Sequence, residues 1–319
     1  HNVTCVAQDT RVGKEKIWYF GSGELTGSSA SGGESYYGGN GIYKSVDGGL
    51  SWDSLAVTAT NTNGFDSNFD FIWNIKTDPS NDSLDVVYAA TYGTIYRSEN
   101  GGDSWVKELG GGSTYYNNIE VTSSGEVYAT LSSDGLDKGI WHSVDGQNWT
   151  NITDSLFPPI YGRIAIGVNP SNENEVYFLA AETDNHGQHT DVFFNGETWT
   201  SLWKYDSSDS SWVNLSSNIP ANQSTSFDNF NAQGGYDLLV KVHPTDPNTV
   251  YIGGTNLWRS SDGFTTPNNT MIIGGYFIGS VEGDGNWGVY PNHHPDQHDL
   301  LFLPSDANVI LSATDGGVF

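Results

Sequence analysis

The chain has 319 residues and a formal net charge of −26, with 12 Lys and Arg against 38 Asp and Glu. That balance excludes nucleic acid as a partner, because phosphate contacts need a basic surface. No run of about 18 apolar residues reads as a transmembrane segment, and the lone cysteine, Cys5, excludes an internal disulfide.

Taken in chain order, the sequence reads as short strands separated by turns. Residues 3–7, 16–20, 41–45 and 54–58 form a first group of four. Residues 71–76, 86–90, 94–97 and 105–109 form a second. A third group runs from about 119 to 149, a fourth from 163 to 212 with a long insertion, and a fifth starts near Leu238. A sixth begins near Leu300 and is under way at Phe319.

Two turn patterns recur in one register. Ser45-x-Asp47-x-Gly49-x-x-Trp52 joins the third and fourth strands of the first group. Its carboxylate can accept backbone N–H groups, and its glycines tolerate positive φ. Asn100 and Trp105 repeat it in the second group, Asp145 and Trp149 in the third with one residue fewer, and Asp262 in the fifth without the Trp. Asp209 with Trp212 is a degenerate copy. These positions lie roughly 45 to 65 residues apart, the spacing of a repeat architecture. The second pattern, Asp78-Pro79-Ser80-Asn81, returns as Asn169-Pro170-Ser171-Asn172, Asp246-Pro247-Asn248 and Pro304-Ser305-Asp306. Each copy precedes a β-branched strand.

The Ser45–Trp52 pattern and its copies resemble the Asp-box of BNR-type β-propellers. That family includes sortilin-like ectodomains and xyloglucanase-type glycoside hydrolases. Gly21-Ser22-Gly23-Glu24 near the start, and His293–His298 with Thr314–Val318 near the end, resemble secreted bacterial members of it. The resemblance implies an all-β fold, a β-propeller of four-stranded antiparallel blades with Asp-box turns. About five and a half blades fall within residues 1–319, as one domain or the N-terminal part of a longer chain. It also implies an extracellular or cell-surface location, further domains, and a glycan or an extracellular protein as ligand.

In a propeller the turns between first and second strands lie at the same end as the Asp-boxes. Loops between second and third strands, and between blades, lie at the other end. Every long loop of this chain belongs to that second end, which is therefore the expected ligand face. Its candidates are Glu24, Asp70, Arg163, Tyr236, Asp237 and Trp287. His294, Asp296 and His298 are spaced i, i+2, i+4, which on an extended segment places them on one side. Imidazole with carboxylate suits a divalent transition metal, and ordering of the loop is the other reading of the same residues. His186 and His189 belong to the same face.

Sialidase chemistry needs three arginines on a substrate carboxylate, and only Arg163 is placed to reach the channel. Glycoside hydrolysis needs two carboxyl groups, and the spacing alone selects no pair from so many acids. Three readings follow. The first is a binding or scaffolding module of a larger extracellular protein, the second a xyloglucanase-like glycoside hydrolase, the third a metal-dependent hydrolase.

Overall fold

The computed structural model describes residues 2–27, 35–62, 64–192, 196–221, 229–277 and 288–319. The protein is all-β, a β-propeller of four-stranded antiparallel blades, with 3-10 turns as its only helical elements among the described residues. No helix among them is long and apolar enough to cross a membrane. The chain forms two compact units, His1–Ser155 and Leu156–Phe319.

The first unit holds three blades. Blade one pairs Val3–Gln8, Trp18–Ser22, Ile42–Ser45 and Asp53–Ser54 in that order. Blade two pairs Ile72–Thr77, Val87–Thr91, Thr94–Ser98 and Val106–Gly110. Blade three pairs Asn117–Val121, Val127–Leu131, Gly139–Ser143 and Thr150–Asn151. The second unit repeats the plan. Blade four uses Ile164–Val168, Glu175–Ala181, Gly196–Asp206 and Ser211–Asn214, with Gln188–Val192 of its insertion added as a fifth strand. Blade five uses Leu239–His243, Asp246–Gly253, Leu257–Ser260 and Thr270–Gly274. The sixth sheet has three strands, Gln297–Leu303, Asp306–Thr314 and Gly317–Val318.

Second strands such as Val87–Thr91 and Val127–Leu131 are buried at every position. In blade two, blades one and three cover the two faces, so the apolar run is continuous rather than alternating. First strands of successive blades lie side by side within each unit. In the first unit, the Thr77 hydroxyl donates to the Gln8 carbonyl at 2.9 Å, and Asn74 Nδ2 donates to the Ile119 carbonyl at 3.0 Å. The approach is close enough to demand glycine at Gly21, where a Cβ would stand 2.6 Å from Ile72 Cγ2 and 2.8 Å from Cys5 Sγ. Burial at that seam pushes the Cys5 thiol up to about 11.

The turns between third and fourth strands are closed by their own side chains. Ser45 Oγ donates to Asp47 Oδ1 at 2.8 Å and accepts the Gly49 amide at 2.9 Å. Asp47 accepts the amide and hydroxyl of Ser51 at 2.9 and 2.6 Å, and Trp52 Nε1 donates to the Gly49 carbonyl. Trp52 is half-buried, its ring edge-on to Phe20 at 4.8 Å. Asn100 and Trp105 reproduce the arrangement. Asp145 does so one residue shorter, accepting the Gln147 and Asn148 amides, while Trp149 packs against the core of blades two and three.

The fifth blade differs. Phe264 occupies the place of Gly49, fully buried and at φ 58. That conformation is strained for a bulky residue. The Phe264 amide is held by Ser260 Oγ and its carbonyl by Asn218 Nδ2. In the degenerate copy the Ser–Asp bond runs from Ser208 Oγ to Asp206 Oδ1 at 2.5 Å, with the serine two residues after the aspartate rather than before it. Asp206 and Asp209 there cap separate backbone amides, and Trp212 lies against Tyr205 at 4.8 Å.

Candidate functional site

The expected ligand-face residues fall into two sets. In the first unit, Glu24 opens the small hairpin Glu24–Gly27 with Ser35–Tyr37, and its carboxylate accepts from Asn2 Nδ2 at 2.9 Å. Asp70 is buried at the end of the 3-10 turn Asn68–Asp70. Its Oδ2 accepts the amides of Asp66 and Ser67, while Ser67 Oγ accepts the Phe69 amide. This reciprocal cap makes Asp70 a framework residue of that loop. Trp287 lies outside the described residues.

In the second unit the structure brings Arg163, Tyr236, Asp237, Asp296 and His298 together and adds Gln233 and Asp315. All stand at the ends of strands remote from the Ser–Asp turns. Arg163 precedes the first strand of blade four, residues 233–237 that of blade five, and residues 294–298 lead into that of the sixth sheet. Asp315 lies in the sixth sheet's turn between second and third strands. The joint is blade five, whose first strand packs between those of blade four and the sixth sheet.

The loop into blade five is shaped by a kinked 3-10 turn, Gln233–Gly235, with φ of 43, 67 and 89 along it. Two glycines take the left-handed conformations at little cost. Arg163 Nη1 binds the carbonyls of Gly235 and Tyr236 at 3.1 and 2.9 Å, which fixes the turn to blade four. Gln233 Nε2 reaches across to Asp296 Oδ1 at 3.0 Å.

Asp296 itself has φ 67. An extended path through residues 294–298 is therefore broken, and the alternation expected for His294, Asp296 and His298 does not run through it. His294 Nδ1 faces the Pro295 carbonyl at 2.9 Å, and its ring lies over Gly316, where a Cβ would meet Cγ at 2.5 Å. His298 Nε2 is 2.6 Å from Asp315 Oδ1, the oxygen that also accepts the Tyr236 hydroxyl at 3.2 Å. His298 Nδ1 stands 3.8 Å from Asp237 Oδ1, and the Tyr236 ring is edge-on to the imidazole at 5.0 Å.

His186 and His189 have partners of their own. His186 Nδ1 faces the Asp184 carbonyl, and His189 lies against Trp199 with Nε2 3.6 Å from Glu197. Among the described residues no group of three or more His, Cys, Asp or Glu side chains is gathered to hold a metal ion.

The electrostatics of the cluster centre on Asp237. Its side chain is fully shielded, and neither carboxyl oxygen meets a fixed donor. Its neighbour is the carboxyl of Asp296, and the two bond only when one carries a proton. Burial pushes Asp237 well above the ordinary carboxylate range, the charge of Asp296 and its hydrogen bond act in the same sense, Asp315 adds to them, and Arg163 opposes. Burial raises Asp296 as well; its bond with Asp237 counters this, Asp315 adds to it, and His294 and His298 oppose. The two carboxyls form one interacting pair, Asp237 buried and Asp296 half-buried, both pushed toward the protonated form. Beside it stands a third carboxylate, a third exposed, held by an imidazole and a phenol.

No family model matches the chain, and no curated protein matches its sequence. Solved structures do resemble it. A GH74 enzyme of Niastella koreensis aligns at 17% identity and TM-score 0.56, over 98% of this chain and 56% of that one. The GH74 xyloglucanase of Xanthomonas campestris aligns at 16% and 0.53, over 98% and 43%. An α-L-arabinofuranosidase of Fusarium graminearum, solved in complex with an iminosugar inhibitor, aligns at 13% and 0.53, over 98% and 88%. The chain thus spans about half the length of those GH74 enzymes. At such identities the likeness shows the fold, and the fold it shows is the β-propeller.

Proposed function

We propose that this protein acts on glycans and that the cluster of Asp237, Asp296 and Asp315 is its acid–base centre, with hydrolysis of a glycosidic bond as the reaction. The observation that carries the proposal is the pair Asp237 and Asp296, both pushed toward the protonated form, beside Asp315 in contact with His298 and Tyr236. Glycoside hydrolysis needs one carboxyl kept protonated to assist the leaving group and another kept ionised. Asp296, half-buried, would present the proton, with Asp237 behind it as the buried partner that raises its affinity. Asp315 would serve as the carboxylate, oriented by Tyr236 and His298. The glycoside hydrolases among the similar folds supply an analogy for the substrate class and nothing more. The Ser–Asp turns support reading the blades as Asp-box repeats of a secreted or surface protein, with the turns as framework.

The test is turnover of xyloglucan oligosaccharides and arabino-oligosaccharides by the parent, by Asp296→Asn and by Asp315→Asn. Turnover by the parent, abolished in both variants and retained in EDTA, is the expected result. Folded parent protein with no turnover on either substrate would remove the hydrolytic reading. One observation favours binding without turnover as a second reading. Asp237 is fully shielded and Asp315 is already engaged by His298 and Tyr236, so the cluster also suits a site that orders its loops around a glycan.

A further inference from the structure

The first unit carries a connected row of aromatic rings that the acid cluster does not use. Phe65 lies 5.3 Å from Phe71 and 4.9 Å, edge-on, from Tyr92. Tyr92 meets Tyr115 at 5.7 Å, Tyr115 meets Tyr116 at 6.4 Å, and Tyr116 meets Trp73 at 5.0 Å. The backbone beneath the row is held in place. Tyr92 sits in the tight turn between Thr91 and Thr94, and the Trp73 indole donates to the Tyr115 carbonyl at 2.7 Å, fixing the loop that carries Tyr115 and Tyr116. Phe65 and Phe71 precede the first strand of blade two, and Tyr115 and Tyr116 that of blade three. Every member is therefore at the strand ends opposite the Ser–Asp turns.

Burial does not account for the two most forward rings. Phe65 is 47% exposed and Tyr115 46% exposed. Between and beside them the rim is polar. Asp66 is exposed and accepts the Thr62 hydroxyl at 2.6 Å, and Asp134 is exposed and accepts the Tyr115 amide at 3.0 Å. Each of these carboxylates keeps lone pairs for further donors.

We infer that this row is a binding platform for a neutral saccharide chain. A sugar ring offers an apolar C–H face and a rim of hydroxyl donors, which matches half-exposed aromatic residues bordered by carboxylate acceptors. The net charge of −26 disfavours polyanions, acidic polysaccharides included. A proline-rich peptide is the other ligand that aromatic rows accommodate. It brings few N–H donors for Asp66 and Asp134, so those acceptors would be covered without partners. The platform stands on the first unit alone and does not depend on the hydrolytic reading of the second.

The experiment is native affinity electrophoresis of the whole chain through gels containing xyloglucan, linear arabinan or hydroxyethylcellulose. The set comprises the parent, Phe65→Ala, Tyr115→Ala, the doubly substituted Phe65→Leu with Tyr115→Leu, and Val12→Ala, a change at another exposed apolar residue. Retardation of the parent by at least one neutral polysaccharide is expected. It should fall about tenfold or more in apparent affinity for each ring removed and stay unchanged in Val12→Ala. The Leu pair keeps apolar bulk and checks folding through an unchanged melting temperature. Its loss of retardation supports the rings as the platform, and its retention overturns that assignment. No retardation of the parent in any of the gels, or binding of a polyproline peptide at these rings in their place, overturns the saccharide. Asp315→Asn should be retarded like the parent, so failure of the platform and failure of the hydrolytic site are read separately.

Discussion

The aspartates of the Ser–Asp turns and those of the second unit's cluster are the same side chain put to opposite uses. Asp47 is held down to about 2, first by the Ser51 hydroxyl and amide and then by Ser45. Asp237 is driven the other way by burial and by its carboxylate neighbours. The turn acid is satisfied by residues within four positions along the chain. The cluster acid faces residues about 60 and 80 positions away and lacks any fixed donor. A carboxylate that only holds a turn together needs donors. One that moves a proton needs to be deprived of them.

The largest effect expected from this contrast is on turnover. Asp315→Asn should lower kcat by about 10² to 10⁴-fold, the usual range for a lost acid–base group, with substrate binding little changed. Tyr236→Phe removes one of the two donors to Asp315 and should cost less, with the KM nearly constant. Steady-state kinetics on the substrates named above measure both, and equal turnover in parent and Asp315→Asn would remove the acid from the mechanism.

A stability effect of opposite sign comes next. In the parent, the folded Asp237 carboxyl holds its proton more tightly than the unfolded one. Its contribution is therefore intact below the ordinary carboxylate value of about 4 and is lost as the pH rises through the raised folded value. Asp237→Asn removes the charge and should stabilise the protein at pH 8 by about 1–3 kcal/mol, the cost of a buried group left without partners. At pH 4 parent and variant should melt together. Calorimetry at the two pH values decides it, and a variant less stable at pH 8 would mean that the carboxylate has donors after all.

The turn of blade five should respond in the reverse direction. Burial tends to raise Asp262, but Thr266, Asn269 and Ser260 hold it at about 2. Its stabilisation is present above about pH 4 and is lost as the pH falls through about 2. Asp262→Ala should cost about 1 kcal/mol at pH 7 and little at pH 2. The smallest effect belongs to Asn100→Asp. Asn100 Nδ2 donates to the Ser104 hydroxyl at 2.9 Å, and that hydroxyl can turn to donate to a carboxylate, as Ser51 does to Asp47. A change within about 0.5 kcal/mol is expected.

The same contrast explains what could be read from sequence. The strands and turns were legible because each is decided by neighbours: period two, a Pro-Ser-Asn turn, a Ser two residues before an Asp. Expected and observed strands of blades one and two differ mostly at their ends, for instance 71–76 against Ile72–Thr77. The exception is the fourth strand of blade one, expected over 54–58 and found as Asp53–Ser54. Arg163, Tyr236, Asp237, Asp296 and His298 were each legible as polar residues on the ligand face. Their meeting was not, because it depends on blade five standing between its neighbours and on the left-handed backbone at Asp296. Gln233 carries neither charge nor periodicity, and its only signal is the Gly234-Gly235 pair that follows. Phe264 at φ 58 went unread because a phenylalanine in a glycine's place breaks the local rule that made the other turns recognisable.

The cysteine at the seam of blades one and two gives the molecule a built-in clock. Alkylating reagents attack the thiolate, and with the Cys5 thiol raised to about 11 almost none of it is present at pH 8. In the unfolded chain an ordinary value of about 8.5 makes it plentiful. Cys5 is the only thiol and is half-buried in the folded chain, so labelling should be much faster in molecules in which the edge of blade one has parted from Ile72. The labelling rate with excess maleimide then rises with the frequency of that opening. Loosening the seam by Thr4→Val, which deletes the hydroxyl bond from Thr4 to the Ile72 carbonyl, should make the clock run faster without any engineered probe.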